Sequence, residues 1–244
     1  MAHPKPYLVE TDAALSLHFT DAETQSRMDK RDPDALVFDY TRLMTGFALF
    51  VPAPRAIAMI GLGGGSLAKF CRRHLPRARV DVVEINPHVV ALRDAFRVPP
   101  DDRRFAVHVD DGARFVRTLR GRDALLLDGY DAEGMPAKLR APGFVADCRA
   151  ALASRGVFVA NVNSDDANAA RFLRTVRETF DGDMLVVDDT GGGNRIVFAG
   201  AAIARRIGAL ERPAPLAREA WAQIVVPFVR IRLAQHAWLA ERGG

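Results

Sequence analysis

Residues 57–69 read IAMIGLGGGSLAK. An apolar run short enough for one buried strand ends at Gly61; Gly63, Gly64 and Gly65 follow, and Ser66 opens a stretch of helical period. The glycines permit a tight turn and close approach of backbone to a ligand. The helix N-terminus behind them favours the polar end of that ligand. Downstream, the run 80–83, apolar but for Asp81, ends in Glu84, twenty-three residues after Gly61. An acidic residue at the tip of the second strand can accept hydrogen bonds from both hydroxyls of a ribose. The stretch therefore predicts a strand–turn–helix unit that opens a nucleoside site.

Outward from that unit, strands and helices alternate. Strands are expected at 57–61, 79–84, 105–109, 123–127 and 156–162, and helices at 66–74, 87–96, 111–119, 142–154 and 166–180. Pro87 suits a first helical turn. Residues 124–127 are wholly apolar, as befits a central strand. Strands at 184–188 and 195–199 flank a Gly-rich turn and should pair antiparallel. The sum is an α/β fold, a Rossmann-like methyltransferase-type sheet, mostly parallel with one antiparallel strand near its end.

Before it, 7–10 and 14–19 can form a hairpin, 25–34 reads as a polar turn-rich segment, and Asp34 can cap a helix running to about residue 50. After it, 216–241 is helical with Pro227 inside. Trp221, Ile224, Phe228, Ile231 and Trp238 recur there on one stripe, suited to packing on the domain or on a second subunit. The domain expectation is 1–50 for a small N-terminal hairpin and helix, 51–200 for the nucleoside-binding domain and 201–244 for a helical extension.

Composition narrows the classes. At 244 residues, with 49% hydrophobic and 26% charged, the chain can bury a large core. A net charge of +4 comes mostly from arginines scattered along helices, which fits solvated faces rather than a nucleic-acid groove. The two cysteines, Cys71 and Cys148, have no C-x-x-C spacing, and the six histidines never fall at metal-ligand spacing. No metal, no nucleic acid and no membrane partner is expected, and the location expected is cytoplasmic.

In such sheets ligands bind at the carboxyl ends of the strands. Those ends supply Gly61, Gly63, Gly64 and Gly65, then Glu84, then Asp110, Asp111 and Gly112, then Asp128 and Asp131. Asp111 heads a helix, where it can cap the helix or accept a hydrogen bond from an exocyclic amine. Asp128 follows an apolar strand and can stabilise a cation or take a proton from an attacking amine.

These residues resemble a family, the polyamine aminopropyltransferases, meaning spermidine synthase and its bacterial relatives. The likeness runs from about residue 17 to 200. The family's GGGDGG loop looks like Gly61-Leu62-Gly63-Gly64-Gly65-Ser66, its V/C-E-I-D like Val83-Glu84-Ile85-Asn86, its D-G-x-x-F like Asp111-Gly112-Ala113-Arg114-Phe115, and its D-S-S-D like Asp128-Gly129-Tyr130-Asp131. Its N-terminal Tyr-Gln or Tyr-His pair looks like Tyr40-Thr41. The resemblance implies decarboxylated S-adenosylmethionine as co-substrate and a small polyamine as acceptor. Glu84 would hold the ribose, Asp111 the adenine, Asp128 would deprotonate the amine, and Tyr40 and Asp131 would contact the acceptor.

Three departures accompany the likeness. The loop aspartate that steadies the donor's ammonium is Gly64, the second member of the Tyr pair is Thr41, and a late Tyr-Pro-x-Gly segment is Thr190-Gly191-Gly192-Gly193. The nucleoside half is kept better than the amine half. A methyltransferase using ordinary S-adenosylmethionine and a nucleoside-binding protein without transfer activity are the alternative expectations. A nicotinamide-dependent dehydrogenase shares the Gly-rich turn and the acid, but no Tyr/Lys or His pattern follows. A homodimer is expected, because two-fold dimers are the commonest soluble assembly, the C-terminal stripe offers apolar surface, and the resembled family is usually oligomeric.

Overall fold

A computed structural model of the chain describes residues 3–21, 23–131, 134–212 and 216–243. Its centre is a seven-stranded sheet made of β4 (Ala56–Ile60), β5 (Arg79–Glu84), β6 (Phe105–Val109), β7 (Arg122–Leu127), β8 (Leu152–Asn163), β9 (Met184–Asp188) and β10 (Asn194–Ala199). The order across it is β6-β5-β4-β7-β8-β10-β9, with β10 antiparallel to both neighbours and the pairs from β6 to β8 parallel. This is the expected α/β architecture. The chain reverses direction across the sheet between β4 and β7, so the crevice at their carboxyl ends is the switch point.

Alternation of side chains along each strand makes two cores. On one face Ile57, Met59, Val82 and Phe198 pack under α1 (Asp39–Met44), α2 (Phe47–Phe50), α3 (Ser66–His74) and α8 (Arg218–Gly243). On the other, Ala58, Leu125, Leu127 and Phe158 pack under α5 (Gly112–Thr118), α6 (Pro142–Ala151) and α7 (Ala169–Thr179).

Several element expectations are corrected. The segment 25–34 contains a strand: β3 (Glu23–Asp29) joins β1 (Tyr7–Glu10) and β2 (Ala14–Thr20) in a small antiparallel sheet of order β1-β2-β3. Met28 and Ser26 are its buried residues, so its inward face carries only one large apolar side chain. The helix over 34–50 is two helices, α1 and α2. Asp34 does not cap them; Phe38 stands at the cap and Asp34 pairs with Arg73. The break falls at Thr45-Gly46, where α8 crosses so closely that a Cβ on Gly46 would stand 2.3 Å from Ile231 Cδ1. Thr45 Oγ1 also donates to the Arg42 carbonyl at 2.6 Å, a back-bond that bends helices.

The helix expected over 87–96 is only α4 (Pro87–Val90); its cap is Asn86, whose Oδ1 accepts from His88 N at 3.0 Å. The chain then turns, so that Phe96 is buried. The helix expected to reach 154 ends at Ala151, and β8 begins at once.

The C-terminal stripe packs on its own domain: Ile224, Phe228 and Ile231 are buried, and Trp221 meets Phe228 edge to face at 5.8 Å. Polar clamps fix the register of α8. Gln235, fully buried, accepts from Ile207 N at 2.9 Å and donates to the Ile203 and Arg205 carbonyls at 2.7 Å. Gln223 accepts from Leu36 N at 2.8 Å. Another buried polar group, Lys69 of α3, donates to the Pro33 carbonyl at 2.6 Å and the Phe96 carbonyl at 2.8 Å, tying the glycine-turn helix to two loops. Burial lowers its ammonium pKa to about 8. Among the described residues, no helix is long and apolar enough to cross a membrane.

Candidate active site

The strand tips place most of the predicted site residues together. Gly61 (φ 97°) ends β4 and donates its amide to the Val83 carbonyl at 2.9 Å. Asp128 leaves β7 and donates its amide to the Ile60 carbonyl at 2.9 Å. The two tips touch: a Cβ on Gly61 would stand 2.0 Å from the Asp128 carbonyl oxygen, so only glycine fits there. Gly63 and Gly65 also have positive φ, 51° and 71°, which L side chains rarely adopt. Gly64 is crowded from outside. Its Cβ position is 2.6 Å from Ser26 Oγ and 2.8 Å from Phe96 Cδ1, so β3 and the loop after α4 occupy the space an aspartate side chain would need.

Glu84 projects into this turn. Its Oε2 accepts from Leu62 N at 2.9 Å, its Oε1 from Asn86 N at 2.8 Å, and the Ile85 and Gly63 amides add to them. Burial nevertheless dominates and holds its pKa above the ordinary glutamate value. Four backbone amides thus match the roughly four lone-pair sites of the carboxylate, so a further donor shares or displaces one of them. Asp111 is both a cap and an ion-pair partner. Its Oδ1 accepts from Ala113 N at 2.8 Å and Arg114 N at 3.2 Å, and its Oδ2 meets Lys138 Nζ at 3.1 Å. Beside it, a Cβ on Gly112 would lie 2.6 Å from Ile60 Cγ2, a close approach that brings α5 down onto β4.

Asp128 is the hub of the other half. Asn161 Nδ2 donates to its Oδ1 at 3.0 Å, and the Tyr40 hydroxyl donates to the same carboxylate. Burial raises its pKa above the aspartate norm despite these two donors, and burial followed by the Asp128 charge keeps the Tyr40 phenol well above its own. Tyr130 closes the network by donating to the Asn161 carbonyl at 3.0 Å and accepting from Asn163 N at 2.7 Å. Asn161 Oδ1 is buried with no partner among the described residues. Asp131 stands apart: it is exposed, and its backbone forms a two-bond bridge with Gly134 at 3.0 and 3.2 Å.

Sequence reasoning missed Asn161, Tyr130, Lys138 and Ser26. Asn161 had a signal, since it is the one polar residue inside the apolar run 157–162. Lys138 and Ser26 had none, because their neighbours come from distant segments.

With the geometry in place, likeness to known proteins is informative. Residues 37–182 match the family model described as the spermine/spermidine synthase domain, more than half of the chain. The chain belongs to the spermine/spermidine synthase family. It is 38% identical over 200 residues to a polyamine aminopropyltransferase of Chromobacterium violaceum, covering 81% of this chain and 77% of that protein. It is 37% identical over 199 residues to one of Neisseria meningitidis, covering 80% and 76%. The fold is shared with a probable spermidine synthase from Corynebacterium glutamicum at a TM-score of 0.70 and 21% identity, over 89% of this chain and 81% of that one. It is also shared with human methyltransferase-like protein 13 at 0.62 and 21%, over 80% and 92%. Family membership carries the expectation of a transferase acting by aminopropyl transfer.

Proposed function

We propose that this aminopropyl-transferring enzyme takes the group from decarboxylated S-adenosylmethionine to a small polyamine or related amine, with Asp128 as base. The observation that carries the reading is Asp128 itself: its main chain abuts Gly61 at the switch point, and its buried carboxylate is held by Tyr40 and Asn161. A neighbour by fold, a spermidine synthase, was solved with the transition-state analogue AdoDATO.

The residues present fit an adenosyl donor. Glu84 lies against the glycine turn, where ribose hydroxyls would take the place of or share with its amide donors, and Asp111 heads α5 with one oxygen bound to an exposed, displaceable Lys138. Gly61, Gly64, Gly65 and Gly112 let the turn and α5 close onto Asp128, Ser26, Phe96, Val98 and Ile60, and Gly63, with nothing nearer than 3.7 Å to its Cβ position, is the open point of the turn.

On the acceptor side, an amine is mostly protonated at neutral pH and must lose a proton to attack carbon. Asp128 attracts the ammonium and takes its proton as the new C–N bond forms. Its raised pKa makes it a better base than an exposed aspartate. Tyr40 and Asn161 hold it in one orientation, and their two donors leave lone pairs for the amine. Asp131, exposed beyond the mouth, suits the distal cation of a long acceptor.

A methyl-transfer reading is favoured by one observation, the packing of Ser26 and Phe96 onto Gly64, which leaves the turn without an acidic side chain. The deciding experiment offers ordinary and decarboxylated donor separately and follows thermal protection and amine consumption. Protection by the decarboxylated donor with amine consumed is expected. Protection by the ordinary donor alone moves the reading to methyl transfer, and binding without amine loss moves it to a binding protein.

The proposal extends to a cytoplasmic homodimer. Val226, Val229 and Leu233 on the outer side of α8 are 64%, 41% and 63% exposed, an apolar row that supports it. Light scattering at micromolar concentration should give twice the chain mass, and a monomer mass overturns it.

A further inference from the structure

Arg230 lies on α8, outside every segment with a motif, and its guanidinium binds two other parts of the chain. Nη1 donates to Asp39 Oδ2 at 2.9 Å, and Nη2 donates to the Asp188 carbonyl at the end of β9. Two residues on, Thr190 turns back to the same Asp39 oxygen, with its amide at 2.9 Å and its hydroxyl at 3.0 Å. Three segments separated by 151 and 191 residues in sequence thus close on one carboxylate oxygen. Both partners of the ion pair are mostly covered, their side chains 27% and 21% exposed. The Thr190 and Arg230 hydrogen bonds outweigh burial and hold the Asp39 pKa below the usual aspartate value.

The position of this triangle gives it consequence. Asp39 is the first residue of α1, and the next residue, Tyr40, donates to Asp128. Thr190 opens the run Gly191-Gly192-Gly193. The Gly193 carbonyl accepts from Ser164 N at 3.0 Å, which seats the run at the carboxyl end of β8 beside Asn161 and Asn163. Three successive glycines have large backbone freedom and hold one shape only if their flanks are fixed. Thr190 spends its hydroxyl on Asp39, and a Cβ on Gly192 or Gly193 would meet no atom within 4 Å. The turn is therefore bare backbone whose placement depends on its anchor.

We propose that Arg230 is a positioning residue for the acceptor: through Asp39 and Asp188 it fixes Tyr40 and the 190–193 turn around Asp128, without touching substrate. The inference rests on the aminopropyl-transfer reading for its kinetic consequence. Its structural part stands independently of that reading.

The test uses the full chain with Arg230→Met, Arg230→Lys and Thr190→Val, the last removing one donor to Asp39 without touching α8. Donor affinity comes from calorimetry, acceptor kinetics from steady state, and amide hydrogen exchange follows residues 188–194. Arg230→Met is expected to raise the acceptor KM roughly 3- to 30-fold, the range for coupling through a packed network, with kcat and donor Kd within about twofold. Exchange at 188–194 should quicken, Arg230→Lys should recover part of both effects, and Thr190→Val should show a smaller KM rise. A KM within twofold of wild type, or equal loss of donor affinity, overturns the proposal. If wild type consumes no amine, the transfer reading has failed. The exchange data then decide the inference alone, with unchanged protection in Arg230→Met sinking it.

Discussion

The two halves of the candidate site are built by different means. On the donor side, the carboxylates of Glu84 and Asp111 are held mainly by backbone amides of their own or adjoining turns. On the proposed acceptor side, Asp128 is held by side chains from α1 and β8, and α1 is held in turn by Thr190 of the turn after β9 and by α8. A site made from backbone amides needs glycines and one acid at fixed spacing. A site made from side chains needs the whole fold to be right first. The first can be written in a motif, and the second is written in packing.

The comparison is broken most severely at Asp128. Asp128→Asn keeps a group that accepts from Tyr40 but cannot take a proton at neutral pH. Transfer should fall about 10²- to 10⁴-fold in kcat while donor binding persists. Near wild-type kcat removes Asp128 as the base and moves the other readings ahead.

Next comes Glu84→Gln, which tests the donor half in isolation. Losing charge-assisted bonds to ribose should cost roughly 2–4 kcal/mol, or about 30- to 1,000-fold in donor Kd, with acceptor kinetics at saturating donor little changed. Calorimetry showing wild-type affinity takes Glu84 out of the site.

The smallest effect belongs to Asp131→Asn. An exposed carboxylate at the rim should raise the acceptor KM by several-fold, more than it lowers kcat. An equal fall in kcat would place it in the chemistry rather than in binding.

This division also explains what could be read from sequence. The parallel sheet was legible because its strands are mostly apolar runs ended by glycine or acid, with Asp81 and His108 as interruptions, and the helices Ser66–His74 and Gly112–Thr118 because their period is clean. Strand β3 was not: ETQSRMD offers one large apolar residue, and what stabilises it is pairing with β2 and contact of Ser26 with the glycine turn. The split of the 34–50 helix was hidden because its cause, Ile231 against Gly46, lies near the other end of the chain. The same holds for the site. Glu84 and Asp128 announce themselves at strand ends, whereas Asn161 is one polar letter in a strand, and Arg230 is one arginine among many.

The contact between Gly61 and the Asp128 carbonyl has a consequence of a metrological kind. The glycine turn and the proposed base are gauged against each other by main-chain contact, reinforced by the Asp128 amide on the Ile60 carbonyl at 2.9 Å. No rotamer enters that gauge, and neither terminal extension does. Substitutions in α1, the 190–193 turn or α8 can reshape what the recess admits without altering the offset at which the two reactants are presented. On the proposed reading, acceptor choice can then change while the spacing between the glycine turn and Asp128 is carried unchanged by the sheet.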